Sequence, residues 1–352
     1  MSDMPLGALE PAPRAGQAIS PALRANLNPQ VVQIISRLYE AAQDAGRAGL
    51  ATYARADRRS RLQAAIALGS AAEYLGRAVL ANYDPVLLAR RDSLASVVML
   101  SRANATGPVD QTVLRSIDAN TVWTLLEQIE PRMSLRVAAE TTSAARNAAV
   151  HMALVDGAAL ETAAIALTTI VAALHPFLGA DEADYWGKDL ADVVQVLKDE
   201  RSNAIQRSVS ALIAERRSQL ESVLEGLEGL ERQRMMAFLQ AREVALEPAE
   251  RHKLVDQRCP ACESDGVATY GLEEGEPEAH YRERSDGDWA EYSWGRTLFP
   301  YALAFNCPVC GLRLDDTQFD AAGIPSELAV EYEDADDPSI YWEPDEDWDP
   351  EP

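Results

Sequence analysis

Four cysteines fall in two pairs, Cys259-Pro-Ala-Cys262 and Cys307-Pro-Val-Cys310, the second followed by Gly311. Two thiolates two residues apart can wrap one ion in a tight turn, and two such knuckles complete a tetrahedral shell that suits Zn²⁺. Four thiolates close that shell, so the ion is expected to hold structure, with no open position for catalysis. Gly311 supplies the backbone freedom such a knuckle often needs. A redox dithiol would need only one pair and a thioredoxin-like βαβ context, which is absent from the sequence. The spacing departs from the common one: 44 residues separate Cys262 from Cys307, against about 15 to 20 usually. The insert, with its run EEGEPEAHYRERSDGDWAEY, reads as an acidic loop grafted between ribbon strands and a poor surface for nucleic acid.

The second constellation is the hexamer RNAAVH at residues 146 to 151, in a chain with four histidines. On a helix, Asn147 and His151 are four apart and share a face, with Arg146 flanking them. Three groups able to handle a phosphate would then converge. The structural alternative is a wet helix face, or a His151 buried against a carbonyl.

These residues need elements to position them, and the composition points to helices. Alanine, leucine and arginine are abundant, and all three are strong helix formers. The stretch NPQVVQIISRLYEAAQDAG spaces Val31, Ile34, Ile35 and Leu38 by three and four, with Asn28 as cap and Pro29 just inside it. A second helix, RRSRLQAAIALGSAAEYLGRAVLANY, runs to the break at Asp84-Pro85. Shorter elements follow (DSLASVVMLSR, DQTVLRSI and NTVWTLLEQIE), then the pair SLRVAAETTSAARNAAVHMAL and GAALETAAIALTTIVAALH. His175 precedes Pro176 at a helix end, where a cation meets the dipole favourably, and carries no assigned chemistry. The expected organisation is mainly α: a flexible arm over 1–26, a helical domain over 27–180, a helical arm over 181–250, a small β zinc ribbon with its acidic insert over 251–322, and an acidic disordered tail over 323–352.

Charge is distributed unevenly. The chain of 352 residues carries a net −24, but residues 1–160 hold 16 Lys and Arg against 14 Asp and Glu, whereas residues 251–352 hold 7 against 26. An anionic ligand therefore suits the N-terminal half. A basic knot there, Arg55, Arg58, Arg59 and Arg61, could track an RNA backbone, or simply be a solvated helix start. The N-terminus lacks the basic start and apolar core of a secretory signal, no uninterrupted apolar run reaches the length of a membrane span, and paired cysteines point to metal in a reducing compartment. A cytoplasmic setting without membrane contact is expected.

With its flanking helices, RNAAVH resembles the motif of the HEPN family, an arginine, a polar residue, three further residues and a histidine, placed before the last long helix. The segment AAIALGSAAEYLGRAVLANYDPVLLA is similar to that family's second helix, and the likeness spans roughly residues 27 to 179. The resemblance implies a helical bundle that dimerises and cuts RNA without metal, leaving 2′,3′-cyclic phosphate and 5′-hydroxyl ends. It implies that His151 acts as acid or base, that Arg146 grips the scissile phosphate, and that Asn147 orients one of them. It also implies a toxin or anti-phage defence setting. Glu73, four residues before Arg77, is a secondary candidate at the cleft and otherwise a surface ion pair. The competing reading is a non-catalytic dimeric adaptor that recruits a regulatory protein through the ribbon and tail. From Glu327 on, the tail carries 12 acidic residues and no Lys or Arg, with Tyr332, Tyr341, Trp342 and Trp348 interleaved. It is a solubilising tail, or a mimic of a nucleic-acid strand that covers the RNA cleft.

Overall fold

The computed structural model describes residues 28–335 except 54, 56, 102–106, 108, 111, 131–134, 243–250, 276 and 284–288. The arm over 1–26 and the tail beyond 335 lie outside the described residues. Helices make up 64% of the structure and strands 16%, so it is mainly α, with a small antiparallel sheet in the C-terminal half. Two compact units share the chain, and the division falls at Ser202/Asn203, inside one long helix rather than at residue 181 or 251.

In the first unit, α1 (Pro29–Tyr53) pairs with α2 (Arg58–Tyr83). Their ends are set by local chemistry. The Asn28 side chain accepts from the Gln30 N–H at 2.9 Å with Pro29 in the first helical position, and Asp57 caps α2 through the Ser60 N–H at 3.0 Å. Asp84 ends α2 by turning its carboxylate to the Val86 N–H at 2.9 Å, before Pro85. Then come α3 (Leu94–Leu100), α4 (Ala119–Ile129), α5 (Arg136–Asn147) and α6 (Gly157–Leu174). The segment DQTVLRSI is not a separate helix. Asp110 makes a local turn onto the Thr112 N–H, and Ser116 bridges to Ala89 as extended backbone, as its β-branched residues favour.

Helix α2 forms the centre. Ala64, Ala65, Leu68, Ala71, Ala72, Leu75, Ala78 and Val79 are fully buried, and the small side chains let neighbouring helices come close. By length and composition alone Arg58–Tyr83 and Gly157–Leu178 could cross a membrane, yet 67% and 50% of their most apolar stretches are buried inside the bundle, as central bundle helices are.

His175 is not a cation at a helix end. It is 2% exposed, packed edge-on against Tyr39 and Tyr185 at ring separations of 5.7 and 5.3 Å, with Nε2 3.3 Å from the Tyr39 hydroxyl. Burial lowers its pKa more than Glu182 and Asp181 raise it, so the ring is neutral in the fold. Tyr185 comes from α7 (Glu182–Trp186), which Arg47 fastens to α1 by donating to the Tyr185 carbonyl at 2.6 Å.

The second unit contains the remainder of α8 (Ala191–Leu224), α9 (Gly229–Gln240) and a six-stranded antiparallel sheet. Its strands are β1 (His252–Arg258), β2 (Asp265–Glu274), β3 (Glu278–Glu283), β4 (Trp289–Asn306), β5 (Arg313–Asp315) and β6 (Glu331–Ala335). The order is β1-β2-β4-β3, with β5 and β6 also paired to β4. The short helix α10 (Phe319–Ala322) lies between β5 and β6. One core is shared by Val209, Leu220, Leu224 and Leu239 of the helices and Ala268, Tyr270, Phe305 and Leu312 of the sheet region. From Asn203 the helices are therefore packed on the ribbon, because their apolar stripe needs a surface to cover it.

Two expectations about acidic segments are corrected. The insert is not a loop: β2, β3 and most of β4 are built from it, over residues 265 to 306. Of the tail, the described residues 323–335 are not disordered and include β6, which pairs Glu331–Ala335 with Trp294–Leu298. Cations explain both. Arg296 bridges Glu274 and Glu333 at 2.5 Å each, Arg251 reaches Glu274 at 3.2 Å, and Lys253 pairs with Glu331, so the acids are neutralised across strands.

The buried histidine predicts a pH dependence of stability. The unfolded chain takes up a proton at His175 near the ordinary histidine pKa and the fold resists it, so stability is full above that pKa and is lost as pH falls through it. Between pH 7 and 5.5 the thermal midpoint of the helical unit should drop by a few °C, and His175→Phe should flatten that drop when both are followed by calorimetry.

Candidate functional site

The two knuckles sit at the same end of the sheet. One joins β1 to β2 and the other joins β4 to β5, and the antiparallel register sets Val267 at the start of β2 beside Asn306 at the end of β4. Their backbones match. The Cys259 N–H donates to the Ser264 carbonyl and the Glu263 N–H to the Cys259 carbonyl, both at 2.9 Å; in the second knuckle Cys307 donates to Leu312 at 2.9 Å and Gly311 to Cys307 at 3.0 Å. The left-handed residue is Gly311 (φ 70°) in one and Glu263 (φ 59°) in the other.

The four Sγ atoms lie within 4.8 Å of one another, with Cys259–Cys310 and Cys262–Cys307 at 3.5 Å. Tetrahedral thiolate ligation of an ion at about 2.3 Å requires sulfurs roughly 3.8 Å apart, so the four residues fit one metal ion. Thiols this close influence one another's protons: contact with Cys259 brings Cys307 down to about 7. Cys259, Cys307 and Cys310 are buried and Cys262 is half-buried, which leaves little access for a substrate. His252 is not among the grouped ligands.

Sequence reasoning missed the outer partners of this centre. Arg217 of α8 donates to the Ala261 carbonyl at 3.0 Å and the Pro260 carbonyl at 3.2 Å, and Arg258 donates to the Glu263 carbonyl at 2.6 Å. Arg258 adjoins Cys259 and could have been suspected; nothing in the sequence marks Arg217.

In the helical unit the hexamer does not form one continuous α-helix. Helix α5 ends at Asn147, and Ala148–Met152 make a π-turn that closes with the Ala153 N–H on the Ala148 carbonyl. Ala153 adopts the left-handed conformation, φ 51°, which a side chain seldom takes. The simple four-residue spacing of Asn147 and His151 is broken there, and among the described residues no hydrogen bond joins Arg146, Asn147 and His151. Asn147 and His151 are exposed. Single π-turns of this kind are frequent at functional sites.

Arg146 is held from the other side. It forms an ion pair with Glu73, whose second oxygen takes Arg77 at 2.6 Å. Burial pushes the Glu73 carboxyl up, but hydrogen bonds from Arg146 and Arg77 more than reverse that, and its pKa is lowered. Glu73 is therefore more than a surface i,i+4 partner. One carboxylate between two guanidiniums leaves one positive charge uncompensated. The contact is possible because Gly69 has no side chain: a Cβ there would lie 2.6 Å from the Arg146 Cβ and 2.8 Å from the Thr142 carbonyl oxygen.

Of the basic knot, Arg58 donates to the Ala153 carbonyl at 3.2 Å, which places it beside the turn that carries His151. Arg55 and Arg59 are exposed, with no described contact to the motif. Arg61 is half-buried, and its Nε has no partner.

Scans against protein-family models, curated proteins and solved structures find no match. The likeness to the HEPN family accordingly rests on the hexamer and its flanking helices.

Two outcomes follow from this geometry. Gly69→Ala should destabilise the helical unit by about 1–3 kcal/mol through overpacking, and denaturant melts checked against Ser70→Ala would measure it. If the four cysteines hold a metal ion, chelation, or replacing Cys307 by Ser, should unfold the C-terminal unit and leave the helical unit intact, since ligation of this type carries folding free energy of about 10 kcal/mol or more. Limited proteolysis that cuts first within the helical unit would contradict this.

Proposed function

We propose that the helical unit is a metal-independent endoribonuclease of HEPN type, and that the four cysteines hold a structural Zn²⁺. The observation that carries the first part is the setting of RNAAVH. An exposed His151 lies on a strained turn that follows, in the chain, an Arg146 fixed by a half-buried carboxylate that leaves net positive charge. The ligand set carries the second, since four thiolates in two equivalent knuckles suit Zn²⁺ above harder ions.

In this reading His151 takes the proton of the ribose 2′-hydroxyl or returns one to the leaving oxygen, since an imidazole can both accept and donate a proton. The hydroxyl oxygen attacks the adjacent phosphorus, the bond to the 5′-oxygen breaks, and the products are a 2′,3′-cyclic phosphate and a 5′-hydroxyl. DNA lacks the attacking hydroxyl. Arg146 offers donors beyond those given to Glu73 and balances charge on the phosphate. Asn147 lies beside it, while Arg58 and the exposed Arg55 and Arg59 are suited to backbone phosphates. Val137, Val150, Met152 and Leu154 are more than half exposed around the motif, an apolar patch that a second copy would cover, bringing two motifs together. A toxin or defence effector in the cytoplasm fits such an activity.

One observation favours a second reading. Glu73 already occupies part of the Arg146 guanidinium, as it would if the arginine were structural and the unit a dimeric adaptor acting through the ribbon and tail.

Incubation with mixed cellular RNA in excess EDTA separates the two. Wild type should release fragments with cyclic phosphate ends, and Arg146→Ala and His151→Ala should lose at least about a hundredfold in rate. Intact RNA with all three folded proteins would favour the adaptor.

A further inference from the structure

A cleft of about 940 Å³ opens in the helical unit between the turn after α2, α3 and α4. Its volume lies at the upper end of the range for small-molecule sites. The wall includes Val86, Leu87, Val97, Ile117 and Leu125 as an apolar surface, together with Arg90 and Arg91. Two acids share the lining, and both are engaged. Asp92 is held by Arg90 at 2.5 Å, and Asp118 caps α4 by accepting from the Thr121 N–H at 2.9 Å. The two arginines and two acids of the lining balance in formal charge, and Arg91 is a cation without an acidic partner among the described residues, free to meet an anion.

The cleft also connects to the motif. Ile117, held by its N–H on the Leu88 carbonyl at 3.0 Å, presents its own carbonyl to Arg77 at 2.8 Å. Arg77 pairs with Glu73, and Glu73 with Arg146. Two guanidiniums and one carboxylate, each in direct contact with the next, thus join the Ile117 wall to the motif.

We infer that this cleft binds a small amphipathic anion, a phosphate or carboxylate on an apolar body, and that its occupancy is felt at Arg146 through Ile117, Arg77 and Glu73. The apolar body packs on the aliphatic wall and the anionic group meets Arg91. The regulatory half rests on the reading of Arg146 given above; the binding half does not.

The test uses the full-length protein and the fluorescent amphipathic anion anilinonaphthalene sulfonate. Saturable one-site binding is expected, weakened about tenfold or more by Leu125→Trp, which fills the cleft, and by Arg91→Glu, with helix content unchanged. Adenosine monophosphate and decanoate are then used as competitors, with inorganic phosphate as control. Displacement by the nucleotide assigns a phosphate ester and displacement by decanoate a fatty carboxylate, whereas displacement by neither overturns the ligand class. Equal dye binding by wild type and both variants would overturn the site itself. Since coupling is reciprocal, Glu73→Gln should change dye affinity about fivefold, and an unchanged value would overturn the link to Arg146. None of these readouts uses RNA, so a failure here is distinct from a failure of the ribonuclease reading.

Discussion

The close approach of α2 and α5 at Gly69 is the constraint on which the helical unit depends. The missing side chain at Gly69 lets α5 lie against α2 at the point where Arg146 meets the Glu73 carboxylate, 73 residues away in sequence. Partial burial of Glu73 would by itself favour the neutral acid; the two guanidiniums reverse that preference and make the carboxylate a fixed anchor. The same contact sets where α5 can end. With Arg146 pinned, the chain beyond Asn147 widens into a π-turn and leaves it through a left-handed alanine whose carbonyl Arg58 holds. Strain at such a position persists only where surrounding contacts over-determine it, and here they come from the start and the middle of one helix, α2.

The C-terminal unit solves a different problem. Its strands are rich in acids and glycine, both poor strand formers, and three cross-strand devices compensate. Cations from neighbouring strands neutralise the acids. Aromatic rings cover bare backbone, Tyr301 over Gly271 and Tyr332 over Gly295, so close that a Cβ would clash with either ring. The thiols form the third, gathering two hairpin turns to one point. The α8 helix reaches this point through Arg217, so the knuckle carbonyls are satisfied by a helix rather than by water.

Much of this was legible in the sequence where the signal is local. The stretch from Arg58 to the Asp84-Pro85 break bounds α2, Asn28-Pro29 marks the start of α1, and the cysteine pairs specify their own cluster. What was hidden depends on contacts between distant residues or on backbone states without a characteristic residue. The π-turn ends at alanine where glycine would have given warning. His175 reads as a helix-end cation until Tyr39, 136 residues before it, packs with Tyr185 to enclose it. The strands of the insert were obscured by charge, because an acid counts as polar in a pattern whether or not an arginine sits across from it. The identity of Arg217 as a partner of the knuckles has no sequence signature at all.

Electrostatics divides the work between the units. In the last 102 residues, 7 basic residues face 26 acidic ones, and the described cations Arg251, Lys253 and Arg296 are already committed to acids, with Arg258 committed to a carbonyl. Arg313 is exposed, but acids so outnumber bases in this stretch that a polyanion meets net repulsion, acting over the screening length of about 8 Å at physiological salt. The first 160 residues are close to balanced, at 16 against 14, and in them Glu73 is outnumbered by its two arginines. A phosphate therefore meets less repulsion at the N-terminal helices than at the acidic C-terminal stretch.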